Sequence, residues 1–241
     1  MHRFKSYLAI KTFLTLANLF SFTSCYHLSL SGSSPDRVYS YHSQGKELKV
    51  LHYQSRRPTH LIILWHGGGW KKGSPENMSQ HCDIFIKHNI DCIVPEYSLA
   101  DGLDATPILA LKDVQNFKTQ FKDLSETWGV ATLTLWSGGS SAGGLLAAWS
   151  PGEGLILWSP VLKLNGQGAF DNNVLDSMSR VEMDVLLNQQ IQARPTLIFH
   201  GDRDVTVPIQ GSLEYCELLD DQCSMEILLG EDHRVYSDNR D

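Results

Sequence analysis

Apolar and polar positions follow two alternating rhythms from about residue 37 onward. Short apolar runs rich in Ile, Leu and Val read as strands, and longer stretches with an apolar residue every three or four positions read as helices. "RVYSYHS" (37–43) and "ELKVLHYQ" (47–54) flank Gln44-Gly45 and predict a hairpin. "HLIILWH" (60–66) is continuously apolar, the pattern of a parallel strand buried on both faces. "DCIVPEY" (91–97), "TLTLW" (132–136), "GLILWSP" (154–160), "PTLIFHG" (195–201) and "CSMEILLG" (223–230) read as further strands.

Helical patterns lie between them. "SPENMSQHCDIFIKHN" (74–89) begins with Ser74 as a cap and Pro75 in the first turn. In 106–124 the apolar positions Ile108, Leu111, Val114, Phe117 and Phe121 keep a helical period. "AGGLLAAW" (142–149) and "IQGSLEYCELL" (209–219) predict two shorter helices, and 163–194 is an irregular polar excursion. Strands alternating with helices predict an α/β fold, a mostly parallel sheet with helices on both faces. Ligands then bind at the carboxyl ends of the strands.

The 241 residues suffice for one large α/β domain, expected over 37–241. A net charge of −7 and scattered Lys and Arg argue against a nucleic-acid partner. The first 25 residues stand apart. Basic "MHRFK" precedes apolar "TFLTLANLFSF" (12–22) and then "TSC", the order of a secretory signal. "FTSC" resembles the box before the lipidated cysteine of bacterial lipoproteins, with Phe22 in place of the usual Leu. Three outcomes remain open: lipidation at Cys25, a plain cleaved signal, or a retained anchor. Each implies export, to the periplasm, the cell envelope or the medium. A Ser/Gly-rich linker (26–36) follows. Beyond Cys25, Cys216 and Cys223 flank a short helix-to-strand connection and form the first pair to test, against the alternative of four free thiols shared with Cys82 and Cys92. No Cys/His spacing suggests a metal site, and no cofactor is implied.

The chemistry gathers in "WSGGSSAGG" (136–144). Glycines so dense are expected to serve a backbone turn rather than packing. A serine hydroxyl attacks only when it is exposed, aimed and beside a base. A sharp strand-to-helix turn supplies the exposure if the residues two before and two after the serine lack side chains. Gly139 and Gly143 meet that demand for Ser141, whereas the frame on Ser140 meets Ala142. "HGGGW" (66–70) ends the strand "HLIILWH". Its glycines can turn backbone N–H groups toward a developing oxyanion, with Gly68 and Gly69 as candidates and Ala142 as a third donor.

With these two motifs the chain resembles the α/β-hydrolases, in the broad esterase group with an "HGGGW" loop and a "GxSxG" turn. That group includes the hormone-sensitive-lipase-like carboxylesterases and small carbohydrate-ester deacetylases. The match runs from about 48 to about 235. The resemblance implies a triad in the order nucleophile, acid, histidine: Ser141, then Asp204 in "FHGDRDVTVP", with Asp202 as fallback, then His233 in "LLGEDHRVY". It implies that Ser141 attacks an acyl carbon, that His233 moves the proton and that Asp204 orients the imidazole. Among the other histidines, His66 is expected to order the glycine loop, His200 to be packed or hydrogen-bonded, and His81 and His88 to be exposed on a helix. Ser140 departs from the acidic residue usual before the serine and points toward "GSSAGG"-type exported esterases. The chain runs eight residues past His233, so the fold's last helix is expected to be short.

The sequence shows no large N-terminal cap domain, and the 163–194 segment is polar, so a short-chain carboxylic ester is the expected substrate, with a carbohydrate acetate as one candidate. Trp70 is then either a sugar-stacking face or a residue packed beneath the glycine loop. An amidase or arylformamidase is the alternative within the fold. A non-catalytic binding module on the same fold is the alternative of another class.

Overall fold

The computed structural model describes residues 32–100, 107–162 and 193–234. The expected signal with Cys25, most of the linker, the excursion up to residue 192 and the chain from 235 lie outside the described residues.

Eight strands form one sheet in the order β1-β2-β4-β3-β5-β6-β7-β8. They are β1 (Arg37–Ser43), β2 (Lys46–Tyr53), β3 (His60–Trp65), β4 (Ile90–Pro95), β5 (Thr134–Ser140), β6 (Leu155–Trp158), β7 (Thr196–Gly201) and β8 (Cys223–Leu228). β2 pairs antiparallel with β1 and β4, and all other pairings are parallel. The β1–β2 turn places both Gln44 (φ 49°) and Gly45 (φ 75°) in the left-handed region, as a two-residue hairpin matched to strand twist requires. Four described helices, α1 (Ser79–Lys87), α2 (Ile108–Trp128), α3 (Ala142–Trp149) and α4 (Gln210–Leu219), accompany the sheet.

Side chains alternate strictly across the sheet. On β3, Leu61, Ile63 and Trp65 join one core with Leu111, Val114 and Phe117 of α2 and Leu145 and Leu146 of α3. Ile62 and Leu64 face the other way and pack with Met78 and with Cys82 and Phe85 of α1. This two-sided burial is why β3 reads as an unbroken apolar run.

The structure refines three expectations. The helix expected from Ser74 opens as a 3-10 turn, Pro75–Met78, with Asn77 Oδ1 accepting the Ser74 N–H at 2.7 Å, before α1 begins. β5 does not stop at Trp136 but runs through both glycines to Ser140, because it pairs with β3 as far as Trp65↔Gly139 and with β6 as far as Ser140↔Trp158. Some glycines therefore do serve packing: a Cβ on Gly138 would lie 2.8 Å from Leu64 Cδ2 and 3.3 Å from the Trp158 ring. The cysteines form two disulfides. Cys216–Cys223 ties α4 to β8, and Cys82–Cys92 ties α1 to β4. Among the described residues no helix is long and apolar enough to cross a membrane.

Arg194 is a buried cation whose hydrogen-bond acceptors among the described residues are all carbonyls. Its Nη1 donates to Ser150 O and Gly152 O at 3.1 and 2.9 Å, and its Nη2 to Ala147 O and Ala148 O at 3.0 and 2.9 Å. These carbonyls lie at the end of α3 and in the turn after it, where a cation also meets the negative end of the helix dipole. Burial lowers the guanidinium to about 10, against the nearby phenol of Tyr215, so it stays charged at neutral pH. Arg194→Ala should cost about 2–4 kcal/mol of unfolding free energy in urea titrations. Arg194→Lys should recover only part of it, since an ammonium cannot span four carbonyls.

Candidate active site

Ser141 sits between β5 and α3 with φ 51° and ψ −121°. Such a conformation is costly for a residue with a Cβ and persists only where the surroundings impose it. The two flanking glycines show how. A Cβ on Gly139 would lie 2.2 Å from Gly143 O, and one on Gly143 would lie 2.1 Å from Trp65 O. Strand and helix therefore meet backbone to backbone, with Ser141 at the apex of the turn and itself largely buried. Ser140, the rival frame, is buried, and its Oγ lies 3.2 Å from where a Cβ on Gly67 would stand.

The base arrives from the far side of the sheet. His233 Nε2 is 2.9 Å from Ser141 Oγ, and His233 Nδ1 is 2.7 Å from Asp204 Oδ2. A carboxylate only accepts, so Nδ1 carries the proton and Nε2 offers its lone pair to the serine O–H. That is the tautomer a general base needs. Asp204 Oδ1 accepts the N–H groups of Thr206 and Val207 at 2.9 and 2.8 Å. Burial alone would raise the Asp204 carboxyl. Hydrogen bonds from His200 and His233, the charge on His233 and the Val207 N–H outweigh it and hold the group well below the usual carboxylate range. Asp202 does not reach the histidine. Its Oδ1 accepts the Gly230 N–H at 2.6 Å, which makes it a clasp between the two loops. Gly201 permits that clasp, since a Cβ there would lie 2.3 Å from Glu231 O.

The glycine loop closes the other side. Gly68, Gly69 and Trp70 have φ of 117°, 63° and 59°. Gly68 O accepts the N–H groups of Lys71 and Lys72, and Trp70 O accepts that of Ala100. Among the described residues the N–H groups of Gly68, Gly69 and Ala142 have no hydrogen-bond acceptor. Ala142 opens α3, so its N–H also lies at the positive end of a helix dipole. The arrangement can therefore deliver a serine alkoxide equivalent to a carbonyl and offer donors to the oxyanion that results.

Trp70 is not a stacking face. It is completely buried, and its indole N–H donates to Ala142 O at 3.1 Å, bracing the glycine loop against α3. His66 orders the same loop: its Nδ1 is 2.7 Å from Gly67 O, and its ring stacks on Tyr97 with centroids 4.2 Å apart. The Tyr97 hydroxyl donates to His66 O at 3.0 Å, a role its place at a strand end did not reveal. His200 is buried and hydrogen-bonded as expected. His88 is exposed, but His81 is not: it is buried and packs edge-on against Trp158, because that side of α1 faces the sheet. A cavity of about 820 Å³ opens beside the glycine loop, walled by Tyr53, Lys72, Asn77, Gln80 and Ser140 on the side of Gly67.

Solved structures of esterase 2 (Est2) from the planctomycete Thermogutta terrifontis share this architecture. The form phosphonylated by sarin is 19% identical over 91% of each chain, with a TM-score of 0.73. The apo form is 21% identical over 85% of this chain and 87% of that one, with a TM-score of 0.68. The propionate-bound form is 22% identical over 82% and 84%, with a TM-score of 0.63. The chain has the α/β-hydrolase fold. No family model and no curated protein matches the sequence. The likeness reaches the α/β-hydrolase fold and not the narrower grouping with hormone-sensitive-lipase-like or carbohydrate-ester enzymes.

Two expectations follow from this geometry. Asp204→Asn should lower kcat/KM for an ester by about 10³–10⁴-fold, because it destroys the tautomer of His233, while Asp202→Asn should cost far less. Equal losses would dissolve the distinction between clasp and acid. The second concerns acid stability. Burial lowers both His66 and His81 from 6.5 to about 4. Between pH 6.5 and 4 the unfolded chain then binds protons that the folded chain refuses, so stability is lost as pH falls through that window. Each histidine contributes about 2–3 kcal/mol to this loss. His81→Phe should flatten the dependence in urea titrations run between pH 7 and 4.

Proposed function

We propose that the protein is a serine carboxylic ester hydrolase. The observation that carries the reading is the continuous chain from Ser141 Oγ through His233 to Asp204, at 2.9 and 2.7 Å, beside backbone N–H groups with no acceptor among the described residues. Ser141 attacks the ester carbonyl while His233 Nε2 takes its proton. The oxyanion is held by N–H groups of Gly68, Gly69 and Ala142. His233 then protonates the leaving alcohol, and a water repeats the cycle on the acyl-enzyme.

The acyl group is short and the alcohol polar, with a carbohydrate ester as the leading case. Est2 has been captured with propionate and with butyrate, which supports a short acyl chain here. The polar walls of the neighbouring cavity, Lys72, Asn77 and Gln80, support a hydroxyl-rich partner. The basic and apolar N-terminus, with Cys25 as its lipidation candidate, supports export to the cell envelope. Two disulfides fit an oxidising compartment.

Hydrolysis of acetyl, butyryl and longer p-nitrophenyl esters tests the reading. Activity should fall with chain length, and Ser141→Ala should reduce it by at least about 10⁴-fold. Paraoxon, which phosphorylates Est2, should inactivate the wild type and leave one diethylphosphoryl group on Ser141. An inert protein that resists paraoxon would remove the catalytic reading in favour of a binding module. Serine-dependent cleavage of arylformamides but not esters would move it to an amidase.

A further inference from the structure

The triad carboxylate serves two histidines. His200, at the end of β7, is fully buried. Its Nε2 lies 2.8 Å from Val207 O and 3.3 Å from Asp204 Oδ2, the same oxygen that receives His233 Nδ1–H. Both neighbours of Nε2 only accept, so Nε2 carries a proton; it donates to Val207 O, and the N–H stands 3.3 Å from Asp204 Oδ2. Nδ1 is then bare and accepts the hydroxyl of Ser212, 2.9 Å away on α4. The result is a line of groups in polar contact from α4 to the nucleophile: Ser212, His200, Asp204, His233, Ser141.

We infer that His200 is a positioning residue that sets how strongly Asp204 pulls on His233. The inference rests on the reading of Ser141, His233 and Asp204 as a working triad. A carboxylate oxygen with the positive end of one N–H beside it has less charge to offer a second. By holding its N–H 3.3 Å from Oδ2, His200 weakens the hold of Asp204 on the imidazolium form of His233. That keeps His233 unprotonated, and so able to act as a base, down to lower pH. Val207 fixes the geometry twice. Its carbonyl accepts from His200, and its N–H donates to Asp204 Oδ1. His200 and the carboxylate are therefore anchored to one backbone residue, and Ser212 prevents the ring from turning away. Among the described residues, the other titratable and charged side chains on the surrounding loops and helix are Asp202, Arg203, Glu214, Tyr215, Glu217, Glu231, Asp232 and Arg234. All remain unchanged in the variants below, so their influence cancels in the comparison.

The test is the pH dependence of kcat/KM for p-nitrophenyl acetate in His200→Phe, His200→Gln and Ser212→Ala, beside the wild type. Phenylalanine keeps the ring volume and removes the donor. Its acid limb should move to higher pH by roughly 0.5–1 unit, with kcat lowered more than KM is raised. Glutamine can place an amide N–H near the lost Nε2–H and should return the limb toward the wild-type position. Ser212→Ala, which frees the ring without replacing it, should give a smaller shift in the same direction and decides the question if His200→Phe fails to fold. Folded variants whose limb stays at the wild-type position would overturn the inference, whatever their loss of stability or rate. A second readout needs no turnover. The imidazole titration of His233 followed by NMR should shift upward in the same variants. If the wild type hydrolyses no ester, the functional reading fails, yet this titration still accepts or rejects the role of His200.

Discussion

The candidate site depends on one crowded contact, where the end of β3, the end of β5 and the start of α3 meet with no side chain between them. Gly143 brings α3 to the carbonyls of Trp65 and His66, and Gly139 brings β5 to the carbonyl of Gly143. Ser141 takes φ 51° because nothing less sharp would join a strand to a helix at that distance. The same contact fixes the glycine loop, since β3 ends there and Trp70 donates to Ala142 O. The nucleophile and its candidate oxyanion donors are thus set by one piece of backbone packing.

The acid and the base come from separate loops, and a second contact joins them. Arg203 N donates to Glu231 O, Asp202 N to Leu228 O, and Gly230 N to the Asp202 carboxylate. The acid loop after β7 and the histidine loop after β8 are therefore laced together before either side chain reaches the serine. Buried Asp204 retains its charge because every lone-pair direction meets a donor: two backbone N–H groups on Oδ1 and two histidines on Oδ2. A buried carboxylate with fewer donors would take up a proton and stop orienting His233.

Much of this was legible in the residues, for a reason that can be stated. Where function demands backbone proximity, only glycine satisfies it, and glycine spacing survives in one dimension. That is why the frame on Ser141 could be chosen over Ser140, whereas Asp204 and His233 were placed by the resemblance of their loops to those of the α/β-hydrolases. Side-chain orientation leaves no such trace. Trp70 follows three glycines like an exposed aromatic, but its positive φ turns the indole under the loop. His81 has polar neighbours in sequence, yet it falls on the face of α1 that packs against Trp158. β5 looked finished at Trp136 because glycines are poor strand formers in isolation. Pairing on both sides with β3 and β6 overrides that preference, and the pairing involves residues far away in the chain.

Arg194 was invisible for a related reason. In a polar stretch an arginine reads as solvated, and nothing nearby in sequence announces the carbonyls it will meet. Its position completes the account of α3. That helix is eight residues long and almost wholly apolar, too short to be stable alone. Its first turn is held by the backbone contact at Gly143, and its last carbonyls are held by the Arg194 guanidinium. Because both ends are fixed, the helix cannot slide along its axis. A slide of one residue rise, about 1.5 Å, would carry Ala142 N–H and Ser141 out of register with His233. The buried cation more than 50 residues downstream of the nucleophile is thus part of what keeps the hydroxyl within hydrogen-bond reach of its base.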